Sequence, residues 1–92
     1  MNKIYYPYKS DKPKYKFYII KSNNKRLYFG DSKYEHYTEG HLNENRKDNY
    51  IKRHIARENF SDYNTRGFWS LWYLWYFKKY DEALNFIKQL IY

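Results

Sequence analysis

The residues of this sequence best suited to chemistry are its cations, which can meet phosphate. Lys14, Lys16, Lys21, Lys25, Arg26 and Lys33 crowd one short stretch, and Lys3, Lys9 and Lys12 precede them. Residues 1–33 carry nine Lys/Arg against two Asp; residues 34–67 carry six of each sign. Nearly all of the formal charge of +8 therefore sits in the first third. A basic run of this kind commonly meets nucleic acid or another polyanion. Lysines on the solvent side of a strand also protect sheet edges from pairing, but this cluster outnumbers what protection needs.

A second candidate is the stripe Arg46, Tyr50, Arg53, His54 and Arg57. On a helix the spacing i, i+4, i+7, i+8 and i+11 falls on one face. Guanidinium groups fork onto phosphate, and a Tyr ring can stack on a base. The competing reading is structural: Tyr50 and His54 in the core, the arginines paired with Glu44, Asp48 and Glu58. His36, His41 and His54 with Asn59 are the residue types of a ββα-metal nuclease, though their spacings do not match one. Trp69, Trp72 and Trp75 lie three apart. Their rings could stack on unpaired bases, but a Trp cluster is far more often simply core. No nucleophile–base pair and no glycine-rich phosphate loop is present, and no cofactor is expected.

The elements that must position these groups follow from periodicity. Residues 1–13, with Pro7 and Pro13, read as a basic arm, mobile or extended, or docked by Tyr5, Tyr6 and Tyr8. In residues 14–21, Tyr15, Phe17 and Ile19 alternate with Lys14, Lys16 and Tyr18, a strand pattern. Ser22 to Lys25 forms a turn, because Asn tolerates positive φ. Arg26 to Gly30 is a second strand, completing a β-hairpin that helices must cover on one side. Asp31 to Gly40 is a connector, with one helical turn around Tyr34–His36.

His41 to Asn59 predicts a long helix, capped by Thr38 or Asn43, with Leu42, Tyr50, Ile51, His54 and Ile55 inward. Ser61–Asn64 is a loop. Thr65 caps a helix over Arg66–Phe77 that is apolar all round, hence central. Lys78–Tyr80 breaks it. Asp81 caps a last helix with Leu84, Ile87, Leu90 and Ile91 inward. The expected fold is α+β: one domain over 14–92, a β-hairpin on three helices, preceded by the arm 1–13.

Composition bounds the class. At 92 residues there is room for one domain. Mean hydropathy is −1.16, yet 25% of residues are aromatic, which disordered chains are not. There is no cysteine, so neither a disulfide nor a thiolate zinc site is available. The longest apolar run, Leu71–Phe77, is far short of the roughly 20 residues of a membrane span. An intracellular, soluble or particle-borne protein is expected, without a membrane partner.

Several short motifs, in order, resemble a small family. They are Tyr28-Phe29-Gly30-Asp31, Tyr34-Glu35-His36-Tyr37-Thr38, Arg46-Lys47 with Tyr50-Ile51 and Arg53-His54, Arg57-Glu58-Asn59-Phe60, Thr65 with Gly67-Phe68-Trp69-Ser70, and Trp72 to Trp75. The stretch 14–90 is similar to the "mini-ubiquitous" domains, short basic proteins of large and giant DNA viruses and some phages. The chain departs from that pattern at Phe60, where Trp is usual, at Arg66, where Ala is usual, and at Leu71, where Arg is usual. The resemblance implies a viral protein, in the virion and then in the host cytoplasm or nucleus. It implies no reaction.

Charge and resemblance together lead to one expectation: a protein, not an enzyme, that binds nucleic acid, DNA first, without sequence specificity, in genome packaging or early infection. The expected contact set is Lys14, Lys16, Lys21, Lys25, Arg26, Lys33, Arg46, Arg53 and Arg57. The alternative is a structural module that holds other virion proteins without nucleic acid. A metal-dependent nuclease comes third.

Overall fold

The computed structural model describes residues 3–91, with the side chains of Glu39 and His41 excepted. The expectation for His41 as a metal-site residue lies outside the described residues. Three antiparallel strands, β1 (Tyr8–Lys9), β2 (Tyr15–Ile20) and β3 (Arg26–Asp31), form a sheet in the order β1-β2-β3. Helical segments follow: α1 (Glu44–His54), α2 (Arg66–Trp69) and α3 (Tyr80–Ile91). The architecture is α+β in one small domain.

The hairpin is as its sequence dictates. Phe17 and Ile19 pair with Phe29 and Leu27 on the face turned to the helices. Phe29 and Ile19 are wholly buried. The turn closes through Lys21 N–H to the Lys25 carbonyl at 2.9 Å, with Asn24 at φ 68°. That left-handed backbone suits Asn better than most side chains.

The sheet nevertheless has three strands, not two. The supposed arm supplies β1, with Tyr8 opposite Tyr18 and Lys9 opposite Phe17. Ahead of it, Tyr5 is buried, its N–H donating to the Ile20 carbonyl at 2.8 Å. The Tyr5 hydroxyl donates to Asn64 Oδ1 at 2.6 Å and accepts from Ser22 N–H at 3.2 Å. Its ring meets Tyr63 edge-on. One side chain thus ties the N-terminal segment to the hairpin turn and to the loop before α2.

The connector holds no helical turn at Tyr34–His36. A π-helical segment forms instead at Tyr37–His41, closed by Leu42 N–H to the Tyr37 carbonyl and ended by Leu42 at φ 47°. A second, Ser70–Trp75, continues directly from α2. The two π segments pack on each other. Thr38 Oγ1 donates to the Phe77 carbonyl at 2.6 Å, so Thr38 pins that pair and does not cap α1. π-Helical turns are rare; here ring packing sets the local path, because Leu71, Tyr73, Leu74 and Trp75 are all buried within six residues.

α1 is shorter than its periodicity suggests. Asn43 caps it by accepting from Arg46 N–H at 3.1 Å. It ends at His54, where the N–H groups of Arg57 and Glu58 both turn back to the His54 carbonyl. Arg57 therefore lies beyond the helix, Leu42 precedes it, and Ile55 is exposed. Thr65 does cap α2, at a long 3.4 Å to Phe68 N–H.

In α3, Asp81 sits in the first turn rather than at the cap, since the helix begins at Tyr80. Ala83 and Ile87 are its buried residues, while Leu90 is 53% exposed. The inward face is set by Phe86, whose ring lies 4.7 Å from Trp72 and 5.2 Å from Phe77.

Candidate nucleic-acid interface

The sheet's second face is built from tyrosine. Tyr8, Tyr18 and Tyr28 are direct cross-strand partners, one on each strand. The Tyr8 and Tyr18 rings sit 5.7 Å apart, and those of Tyr18 and Tyr28 5.5 Å apart. The Tyr6 ring touches Tyr8, and Tyr15 touches Tyr28. Directly opposed aromatic residues are favourable cross-strand pairs.

Cations cover these rings. Arg26 lies 4.4 Å from the Tyr18 ring centre and Lys12 lies 4.4 Å from that of Tyr28. Arg66 lies over Tyr15 and Lys3 over Tyr6. The negative face of each ring attracts the cation above it. Arg26 is the most constrained, bonding Asp11 Oδ2 and the Tyr28 hydroxyl, both at 3.2 Å. The Tyr28 hydroxyl in turn donates to Asp11 Oδ1 at 2.8 Å. That donation, with Arg26 adding to it, lowers the Asp11 pKa below its ordinary value. The same network, the Tyr28 hydroxyl foremost, raises that of Arg26. Beside this network an open groove of about 610 Å³ runs past Lys9, Lys12, Lys16 and Tyr15.

The expected contact residues divide. Arg26 is at the centre of the face. Lys14, Lys25 and Lys33 are exposed around the sheet, and Lys21 is half-buried at the turn. Lys16 is structural, because its ammonium donates to the Tyr34 carbonyl and to His36 Nδ1. Arg46 does the same for the next residue, reaching the Glu35 carbonyl and carboxylate. Lys16 and Arg46 thus hold consecutive positions of the connector. Arg53 and Arg57 are exposed, but α1 packs on the Ser70–Trp75 segment. Arg46, Arg53 and Arg57 do not line up with the hairpin cations as one helical stripe, because the helix ends before Arg57.

The other candidates resolve into packing. Tyr50 stacks between His54 at 4.3 Å and Trp75 at 4.5 Å. His54 Nδ1 approaches Glu58 Oε2 at 3.2 Å. Burial in this stack, with Glu58 nearby, pushes the Tyr50 pKa far up. His36 is buried against Trp75. Among the described residues, no three His, Asp or Glu side chains cluster as metal ligands would. The indole N–H groups of Trp69 and Trp72 donate to the Tyr63 and Phe60 carbonyls, each at 2.8 Å. Those rings therefore staple the loop before α2.

Sequence alternation places Tyr18 on the same face as Lys14 and Lys16, which is the available sign of the tyrosine face. It does not reveal Tyr8 and Tyr28 as its neighbours, since β1 has no period of its own. Nor does it reveal Arg66, which reaches the sheet from α2 and donates to the Tyr28 carbonyl at 2.8 Å.

Fold and site define a small α+β domain with a cation-covered tyrosine sheet. Residues 8–54 match a family of unknown function, DUF5754, and the chain belongs to that family. The matched stretch contains the tyrosine row, Lys12 and Arg26, and ends at His54. No curated protein and no solved structure matches the chain.

Proposed function

We propose that this protein binds nucleic acid without sequence specificity through the open face of its sheet. The observation that carries this reading is the layer of exposed Lys12, Arg26 and Arg66 over Tyr28, Tyr18 and Tyr15, with Lys14 and Lys25 exposed around the sheet. Residues 1–33 hold nine Lys/Arg against Asp11 and Asp31, and Asp11 is already bonded to Arg26 and the Tyr28 hydroxyl, so cations exceed acids on this part of the molecule. Phosphate contacts of this kind release counterions, so affinity must fall steeply with salt. The role is binding rather than catalysis. The resemblance to the mini-ubiquitous domains supports a virion setting, in genome packaging or early infection.

A gel-shift series between about 50 and 200 mM salt tests the reading. Affinity is expected to fall by orders of magnitude over that range, alike for unrelated sequences. Lys14→Glu combined with Lys25→Glu should weaken every sequence equally. Absence of binding at the low-salt end sinks the reading. The alternative, a protein-binding module, draws support from Tyr34, Leu42 and Ile55, which are 63%, 47% and 62% exposed. Recovery of partner proteins that survives nuclease treatment would favour it.

A further inference from the structure

The Arg26 guanidinium is held in place by three different groups. The Tyr18 ring lies beneath it, the Asp11 carboxylate bonds one of its nitrogens, and the Tyr28 hydroxyl bonds the same nitrogen. Plain phosphate attraction needs none of this, because a mobile lysine serves as well. What the arrangement does supply is orientation. The guanidinium is planar, and its side chain remains 44% exposed.

A flat cation backed by an aromatic ring is a surface on which a base can stack. A base inside a duplex has both faces covered by its neighbours, whereas an unpaired base offers them. The groove past Lys9 and Lys12 shares Asp11 with this seat, and both of those lysines are exposed. Asp11 also lines the groove, but its carboxylate is paired with Arg26 and the Tyr28 hydroxyl, and Lys9 and Lys12 add two exposed cations there.

We infer that the Arg26–Tyr18 pair is a stacking seat for an unpaired base, and that the protein prefers single-stranded nucleic acid to duplex. This rests on the nucleic-acid reading above and narrows it to a substrate class.

Fluorescence anisotropy on the full chain tests it. The probes are a dye-labelled oligothymidylate of about twelve nucleotides, within the usual span of single-strand sites, an abasic strand of the same length and charge, and the matching duplex. Stacking is expected to favour the oligothymidylate over the abasic strand on the order of tenfold. Arg26→Lys keeps the charge and loses the plane. It should bring oligothymidylate affinity down to that of the abasic strand, whose own affinity stays put. Tyr28→Phe removes the hydroxyl that orients Arg26 and should narrow the gap by a smaller factor. Equal affinity for oligothymidylate and abasic strand, or a gap that both variants leave intact, overturns the stacking seat while the charge-driven reading stands. No binding to any probe at about 50 mM salt overturns both.

Discussion

The two aromatic regions of this molecule use the same residue types in opposite ways. In the Ser70–Trp75 segment, rings are buried by other rings: Trp75 lies parallel to Tyr50 at 4.5 Å, and Phe86 fills the space between Trp72 and Phe77. On the sheet, rings are covered by cations that themselves remain exposed. Burial in the first region contributes stability. The layered arrangement in the second buries Tyr18 under Arg26, half-buries its neighbours, and leaves charge at the surface. A ring's role is therefore decided by what covers it, and the two regions should fail differently.

Trp69→Ala should show the largest effect. The ring is fully buried and its N–H holds the Tyr63 carbonyl. A loss of about 3–5 kcal/mol is expected, measured by urea denaturation. For a chain this small, that would leave little of the fold.

Gly30→Ala comes next, at about 1–3 kcal/mol. Gly30 has φ 80°, and an added Cβ would stand 2.8 Å from Leu74 Cδ1. This position joins the two regions, so both thermal stability and binding should drop. An unchanged melting temperature would show that the sheet and the aromatic segment are less tightly locked than their contact implies.

Asn43→Ala should cost about 1 kcal/mol by removing the α1 cap. Oligonucleotide affinity should not change, since α1 packs away on the aromatic segment. A parallel loss of affinity would merge the two regions into one functional unit.

The smallest effect is a pH dependence. Burial holds the Tyr73 pKa up to about 12, and that of Tyr50 is also raised. Both tyrosines ionise near 10 when unfolded. Their stabilisation is thus complete below pH 10 and is lost as pH rises from there toward their folded values. Tyr50→Phe should flatten the fall in melting temperature above pH 10. An equal effect from Tyr8→Phe, on the sheet, would break the distinction.

Much of the framework is legible in the sequence. The alternation in β2 and β3, the turn at Asn24 and the caps at Asn43 and Thr65 are local features, each set by a few neighbouring residues. The short strand β1 is not, because two residues carry no period and exist as a strand only by pairing with β2. Nor is the end of α1 at His54: hydrophobic spacing runs on through Ile55, but the chain turns there through the His54 carbonyl. Period alone puts Leu90 inward, yet the rings of Trp72 and Phe77 turn the neighbouring Phe86 face to the core instead.

The candidate site is half legible for the same reason. Its cations are plain in the charge distribution, since charge needs no fold to be counted. Which cations bind and which build is not. Lys16 and Lys14 are two residues apart and look alike, yet one is spent on the Tyr34 carbonyl and His36 while the other is exposed.

By itself, then, the sequence determined a basic, cysteine-free, aromatic α+β domain with its charge in the first third. Composition and short-range pattern are enough for that, because propensity, capping and charge act within a few residues. Only the tertiary structure decided that Tyr8, Tyr18 and Tyr28 meet in one row, that Arg66 arrives from α2 to join it, and that Arg26 lies over the Tyr18 ring. Those meetings join residues far apart along the chain and depend on which strand pairs with which.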